Sequence, residues 1–170
     1  MHYNSLYAFN DFIRSNLLDP YRNKKFKILD VGSLSIKKAN SYKICIKDPL
    51  WEYVGLDIIL GDNVDVVSNN LYKYPFEDNS FNLVISGSTL EHVEDMHAWV
   101  KEVARITNNL VWINTVNTCK EHRHPVDCWR IFPDGMKFLL SDVAGLEVLS
   151  SERSTRDLKD TIGIARKILK

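Results

Sequence analysis

The chain has 170 residues, of which 22 are acidic and 22 basic, for a formal net charge of zero at neutral pH. That length suits one domain with a real core, and with no lysine- or arginine-rich block it offers no electrostatic footprint for duplex nucleic acid or an anionic membrane. Three cysteines, Cys45, Cys119 and Cys128, form no C-x-x-C pair and leave one unmatched, which argues against a disulfide framework.

The first residues lack a basic region followed by an apolar run, and no apolar stretch approaches the length of a membrane span, so a soluble, cytoplasmic protein is expected. Over residues 5–18, Leu6, Phe9, Phe12, Ile13 and Leu17 recur at helical spacing and Asp19-Pro20 closes the segment, giving a covering helix ahead of the sheet. Residues 26–33 read as a buried strand that runs through Asp30 into a tight turn at Gly32 and Ser33. Glycine there lets backbone N–H groups approach a nucleotide-like ligand, and the carboxylate can accept from a hydroxyl or an amine. A short helix is expected over 36–46 with Ala39, Tyr42 and Ile46 inward, ended by Asp48-Pro49. Residues 51–57 form a second strand, again with an acid, Asp57, at the carboxyl end, placed to hold ribose hydroxyls.

A third strand at 64–67 follows after only residues 58–63, too few for the roughly dozen residues of a parallel crossover, so it is expected to be stunted or at an edge. Residues 68–76 are a polar loop punctuated by Pro75, and 81–86 a central buried strand that leaves through Gly87, Ser88 and Thr89. A helix over 96–106, a strand over 110–116, a long loop over 117–132 and a helix over 133–144 with Met136, Leu139 and Leu140 inward come next. Two closing strands, 146–150 and 161–168, have no helix between them and predict an antiparallel pair at one edge of an α/β sheet.

Three strings carry a family likeness: ILDVGS at 28–33, YVGLD at 53–57 and YPFEDNSFNLVISGSTLEHV at 74–93. They resemble the first motif, the acidic second strand and the long central signature of the class I S-adenosylmethionine-dependent methyltransferases, and the likeness spans nearly the whole chain. The string EHRHPVDCWRIFPDGM at 121–136 further resembles a subgroup met among polysaccharide and glycan-decorating methyltransferases. The resemblance implies one domain over 1–170, with the covering helix in 1–25 and a Rossmann-like core over 26–170. That core is a mostly parallel sheet with a C-terminal antiparallel strand pair, shortened between its second and third strands. It further implies that Asp30, Gly32 and Ser33 hold the amino-acid part of S-adenosylmethionine, Asp57 its ribose, and Ile58 and Asn70 its adenine. Ser86 and Gly87 form the floor near the sulfonium. The family's later glycines are missing after Gly32, and an amide at Asn69 or Asn70 stands where an acid is usual. Asn82 replaces the usual aspartate, and Thr107-Asn108-Asn109 a glycine-rich turn. Asp57 as a strand-end cap and Asn69 and Asn70 as turn formers are the alternative readings.

Methyl transfer to oxygen asks the protein to position the acceptor and remove its proton. His122, with Asp127 orienting it, is the candidate base, while His92, His124, Arg130 and the apolar face of Trp129 are candidates for holding a sugar ring. His92 follows Glu91 after the fourth strand and reads either as a base or as a loop pin. The opposing reading of the loop is a latch, Asp127 pairing with Arg130 while Trp129 fills the core. Cys119, His122, His124 and Cys128 have spacings that allow a zinc site but match no finger or ribbon pattern, and no metal is expected. The expected function is O-methylation of a sugar or glycan. The alternatives are a non-catalytic scaffold domain and a methyltransferase for a small metabolite or lipid head group.

Overall fold

The structure, a computed structural model, describes residues 3–35, 41–156 and 158–168. Seven strands form one sheet in the order β3-β2-β1-β4-β5-β7-β6, with β1 Phe26–Val31, β2 Trp51–Asp57, β3 Val66–Val67, β4 Phe81–Gly87, β5 Thr107–Val116, β6 Glu147–Arg153 and β7 Asp160–Arg166. The first five are parallel; β7 runs antiparallel to both β5 and β6. This is the Rossmann-like, mostly parallel sheet with a closing antiparallel pair that the alternation of elements predicts. Strand order reverses between β1 and β4, so their carboxyl ends form the switch point at which open α/β sheets bind ligands.

The near-continuous apolar runs of β1, β4 and β5 follow from burial on both faces. On one face Ile28, Leu83, Ile85, Leu110 and Trp112 pack under Phe9 and Phe12 of α1, Tyr3–Ile13. On the other, Leu29, Val31, Val84, Val111 and Ile113 pack under α2, Met96–Ile106, and α3, Pro133–Phe138. The α2 helix starts where Asp95 accepts a hydrogen bond from the Ala98 N–H at 2.9 Å, satisfying one orphan donor of the first turn.

Several boundaries differ from expectation. The first helix stops at Ile13, because the Ser15 hydroxyl donates to the Phe12 carbonyl at 2.7 Å and the Arg22 guanidinium donates to that of Ile13; Pro20 then lies inside a 3-10 turn, Asn16–Tyr21. Of the helix expected at 36–46, residues 36–40 lie outside the described residues and the remainder is a 3-10 turn, Tyr42–Cys45. The helix expected over 133–144 divides into α3 and a π-helical turn, Leu139–Val143, closed by Ala144 N–H donating to the Leu139 carbonyl at 3.0 Å, with Met136, Leu139 and Leu140 buried as expected.

The third strand is as short as its connection requires and lies at the sheet edge. Asp65 clamps residues 58–65 against β2: its carboxylate accepts from Gly55 N–H at 2.8 Å, and its own N–H donates to the Gly55 carbonyl at 2.9 Å. Gly55 is required there, since a Cβ would come within 1.8 Å of the Asn63 carbonyl oxygen.

Candidate active site

The carboxyl ends of β1, β2 and β4 gather the residues expected to hold a cofactor. Asp30 is buried and takes the Tyr53 hydroxyl on Oδ2 at 2.7 Å, while its Oδ1 has no partner. Burial pushes its carboxyl up to about 7 from 3.8, against the lowering effect of the Tyr53 hydrogen bond. Ser33 is likewise buried with its hydroxyl unpartnered. Gly32 has φ +79°, and a Cβ there would lie 2.0 Å from the Thr89 hydroxyl oxygen, so the turn into the site requires glycine. An unpartnered carboxylate oxygen and an unpartnered hydroxyl beside a close-approach turn fit the ammonium and carboxylate of an amino-acid tail.

At the end of β2, Asp57 accepts from the N–H groups of Leu34 at 2.9 Å, Ile58 at 2.7 Å and Ile59 at 3.3 Å. A carboxylate has about four acceptor sites, so one remains for a ribose hydroxyl. Leu34, Ile59, Leu60 and Val67 are exposed around it, an apolar shelf suited to a purine face, with Ile58 half-buried alongside. Asn70 is exposed and accepts from Tyr72 N–H at 2.9 Å, which is turn geometry. The Ser86 hydroxyl donates to the Val31 carbonyl at 2.8 Å and ties β4 to β1. Gly87 admits the Tyr42 hydroxyl, which would lie 1.8 Å from a Cβ and is itself 2.5 Å from the Ser5 hydroxyl.

A second cluster lies at the carboxyl ends of β4 and β5. Three of the five histidines meet there: the His92 and His122 ring centroids are 4.9 Å apart, His92 and His124 5.6 Å, and His122 and His124 6.0 Å. Beneath them Glu91 is 0% exposed; its Oε2 accepts from the Thr115 hydroxyl at 2.8 Å and its Oε1 has no hydrogen-bond partner. Burial raises the Glu91 carboxyl and lowers the His92 imidazole from their ordinary values. The His92 Nδ1 is 2.6 Å from the Val126 carbonyl, which pins the ring to the loop. The sequence places Glu91 beside His92 at a strand exit close to the site but gives it no role of its own.

Asp127 binds Arg130 through both oxygens, at 2.6 and 2.7 Å, and its side chain is 1% exposed. The guanidinium holds the Asp127 carboxyl far below the usual carboxylate range. Asp127 Oδ2 also accepts from the His122 backbone N–H at 2.6 Å, whereas the His122 ring Nδ1 is 3.6 Å away. The carboxylate therefore positions the backbone that carries His122 rather than hydrogen-bonding its ring, and the latch geometry is present. Trp129, 37% exposed, donates from its indole N–H to the Val93 carbonyl at 2.8 Å and leaves part of its ring to solvent. Among the described residues Cys119, His122, His124 and Cys128 do not converge as a ligand set; Cys119 Sγ is 3.5 Å from His122 Nδ1, and Cys128 is exposed.

Residues 29–111 match the family described as a methyltransferase domain. No curated protein matches the sequence. Among solved structures the chain resembles an S-adenosylmethionine-dependent methyltransferase from Aquifex aeolicus, with a TM-score of 0.64 and 15% identity over 99% of this chain and 100% of that one. It also resembles the 1,6-didemethyltoxoflavin-N1-methyltransferase of Burkholderia thailandensis, solved with its substrate and S-adenosylhomocysteine (TM-score 0.70, 15% identity, 96% and 78% covered). A third is the magnesium protoporphyrin IX methyltransferase of Synechocystis, solved with S-adenosylmethionine (TM-score 0.69, 12% identity, 97% and 80% covered). The glycan-methylating likeness of residues 121–136 has no counterpart among these three. The match over residues 29–111, the strand order and these structural likenesses give the chain the fold of an S-adenosylmethionine-dependent methyltransferase domain.

Proposed function

We propose that the chain, as one domain over residues 1–170, transfers a methyl group from S-adenosylmethionine to a hydroxyl of a sugar or glycan. The observation that carries this reading is the His122 ring: a third exposed on the loop after β5, it is anchored on its Nδ1 side, 3.3 Å from the Lys120 carbonyl and 3.5 Å from Cys119 Sγ. Bound cofactor supplies an activated methyl on sulfur. His122 Nε2 takes the hydroxyl proton as the new C–O bond forms and the C–S bond breaks, and the thioether leaves. Asp30 and Ser33 hold the amino-acid tail, and Asp57 the ribose. The half-exposed Trp129 ring offers a face for a sugar, with His92, His124 and Arg130 along the same loop.

The test is a screen of sugar acceptors that follows formation of S-adenosylhomocysteine. His122→Ala should slow transfer roughly a hundredfold or more while leaving cofactor affinity near wild type. Unchanged turnover in that variant removes His122 from the mechanism, and a panel of sugars left unmethylated beside an active small-metabolite acceptor removes the glycan assignment.

A further inference from the structure

Beneath the loop over 117–132 three potential metal-ligand atoms face one another. Glu91 Oε1 lies 3.9 Å from His92 Nε2 and 4.0 Å from His122 Nε2, and one ligand atom from each of the three residues lies within 4.8 Å of the others. His92 Nδ1 lies against the Val126 carbonyl at 2.6 Å, which can only accept, so its ring hydrogen is spent there and its Nε2 lone pair is turned toward Glu91. His122 Nδ1 lies against the Lys120 carbonyl at 3.3 Å and Cys119 Sγ at 3.5 Å, and its Nε2 faces the same Glu91 oxygen. The carboxylate's other oxygen is taken by Thr115, so Oε1 is a fully buried acceptor aimed at the two Nε2 atoms. Such an arrangement is costly in a low-dielectric setting unless a proton or a positive ion sits among the three atoms, and three convergent donors of this kind suit an ion.

We propose that Glu91, His92 and His122 bind one divalent transition metal ion of the zinc type through Oε1 and the two Nε2 atoms. Two imidazoles and one carboxylate form a donor set suited to zinc, and three protein ligands leave a fourth position open for water or an acceptor hydroxyl. The Val126 carbonyl does what outer-shell groups do at metal sites, fixing the tautomer and orientation of the His92 ring, and the Lys120 carbonyl and Cys119 Sγ orient that of His122. Magnesium and calcium, which take oxygen ligands, do not suit this set. The separations of 3.9 and 4.0 Å exceed the ~3.3 Å expected between tetrahedral ligands at zinc–ligand distances near 2.0–2.1 Å. Thr115 holds Glu91, so the closure falls to the two rings, of which His122 stands on a loop and is a third exposed.

The inference rests on the geometry of the cluster and not on the choice of acceptor. It does change the role of one residue. With the ion bound, the His122 lone pair is a ligand, and a ligated hydroxyl loses its proton to water at a lowered pKa.

The test uses the full chain freed of metal with a chelator. It is titrated with cobalt(II), followed by visible absorption, and with zinc(II), followed by calorimetry. One ion per chain is expected, with the ligand-field bands of a four-coordinate nitrogen and oxygen site and no thiolate charge-transfer band. Loss of an outer-shell partner alone lowers metal affinity about 10–100-fold, so His122→Ala and His92→Gln should each weaken zinc binding by roughly 100-fold or more. Both replace partly exposed side chains, and an unchanged melting curve confirms their fold. The Cys119→Ser, Cys128→Ser double variant should bind as wild type does. A thiolate band, unchanged zinc affinity in His122→Ala, or no binding below millimolar zinc overturns the proposal. In the last case a His122-dependent methyl transfer leaves the base reading standing without the ion.

Discussion

Asp30 shows what a single carboxyl contributes at the cofactor end. It is buried with one oxygen unpartnered, and its folded-state pKa lies near 7 rather than 3.8. A raised pKa means that the folded, ligand-free protein prefers the protonated acid. Its contribution to stability is complete below the ordinary value near 3.8 and is lost as pH rises through about 7. The wild-type melting temperature should therefore fall across that window, and Asp30→Asn should flatten the slope; an identical slope in the variant would show that another group sets it. A cofactor ammonium reverses the preference, so binding of S-adenosylhomocysteine should tighten as pH rises from below 7 to above it, and this gain should vanish in Asp30→Asn. Asp57→Ala should weaken cofactor binding at every pH, and an unaltered dissociation constant would count against the ribose assignment. Both acids were legible in the sequence because each ends a run of strand formers. What each oxygen touches was not, since the Tyr53 bond to Asp30 depends on the β1–β2 register and the bare Glu91 oxygen on the rotamer of Thr115.

The loop over 117–132 reads from its composition as a candidate bearer of chemistry, but not as a constrained element. Arg130 grips Asp127 with two parallel bonds and donates to the carbonyls of Cys119 and Lys120, 11 and 10 residues back. The N–H groups of Cys128 and Trp129 donate to the Glu91 carbonyl, and Ile131 N–H donates to that of Val116. The loop is thus pinned at its middle and at its end. Arg130→Ala leaves the Asp127 carboxylate without its partner, and hydrogen exchange should rise across 117–132 while methyl transfer falls and cofactor affinity stays near wild type. Arg130→Lys should not restore transfer, because an ammonium lacks the planar fork that meets both oxygens. Restoration by lysine would mean that charge alone holds the loop. Helix α2 is the opposite case. Its bounds, 96–106, follow directly from apolar spacing, and Asp95 caps it in the way the residue type suggests. Elsewhere helical bounds were not legible, because what ends them is a single side-chain-to-carbonyl bond at Ser15 or a register change at Ala144.

At the scale of the molecule the sheet has two cores, and they are unequally protected. The face under α2 and α3 is covered by elements threaded between strands, whereas among the described residues the other is covered by α1, the 3-10 turn that follows it and the 3-10 turn Tyr42–Cys45. The strand pattern foretold both faces, since runs as apolar as 28–31 and 110–113 cannot face water on either side. Trp112 is the centre of the second face, fully buried, with the Phe9 ring at 5.1 Å and the Tyr42 ring at 5.3 Å. Tyr42 in turn reaches Gly87 and Ser5, so α1 is joined through one phenol to the carboxyl end of β4. Phe9, Phe12, Ile13 and Leu18 are all buried, and at about 1.5–3 kcal/mol for each such side chain they contribute about 6–12 kcal/mol. A chain lacking residues 1–21 should therefore lose cooperative thermal unfolding and bind a hydrophobic dye at room temperature, and it should lose cofactor binding with them, because Tyr42 would no longer be held against Gly87. A truncated chain that melts cooperatively near the wild-type midpoint would show that the helix decorates the sheet rather than completing it.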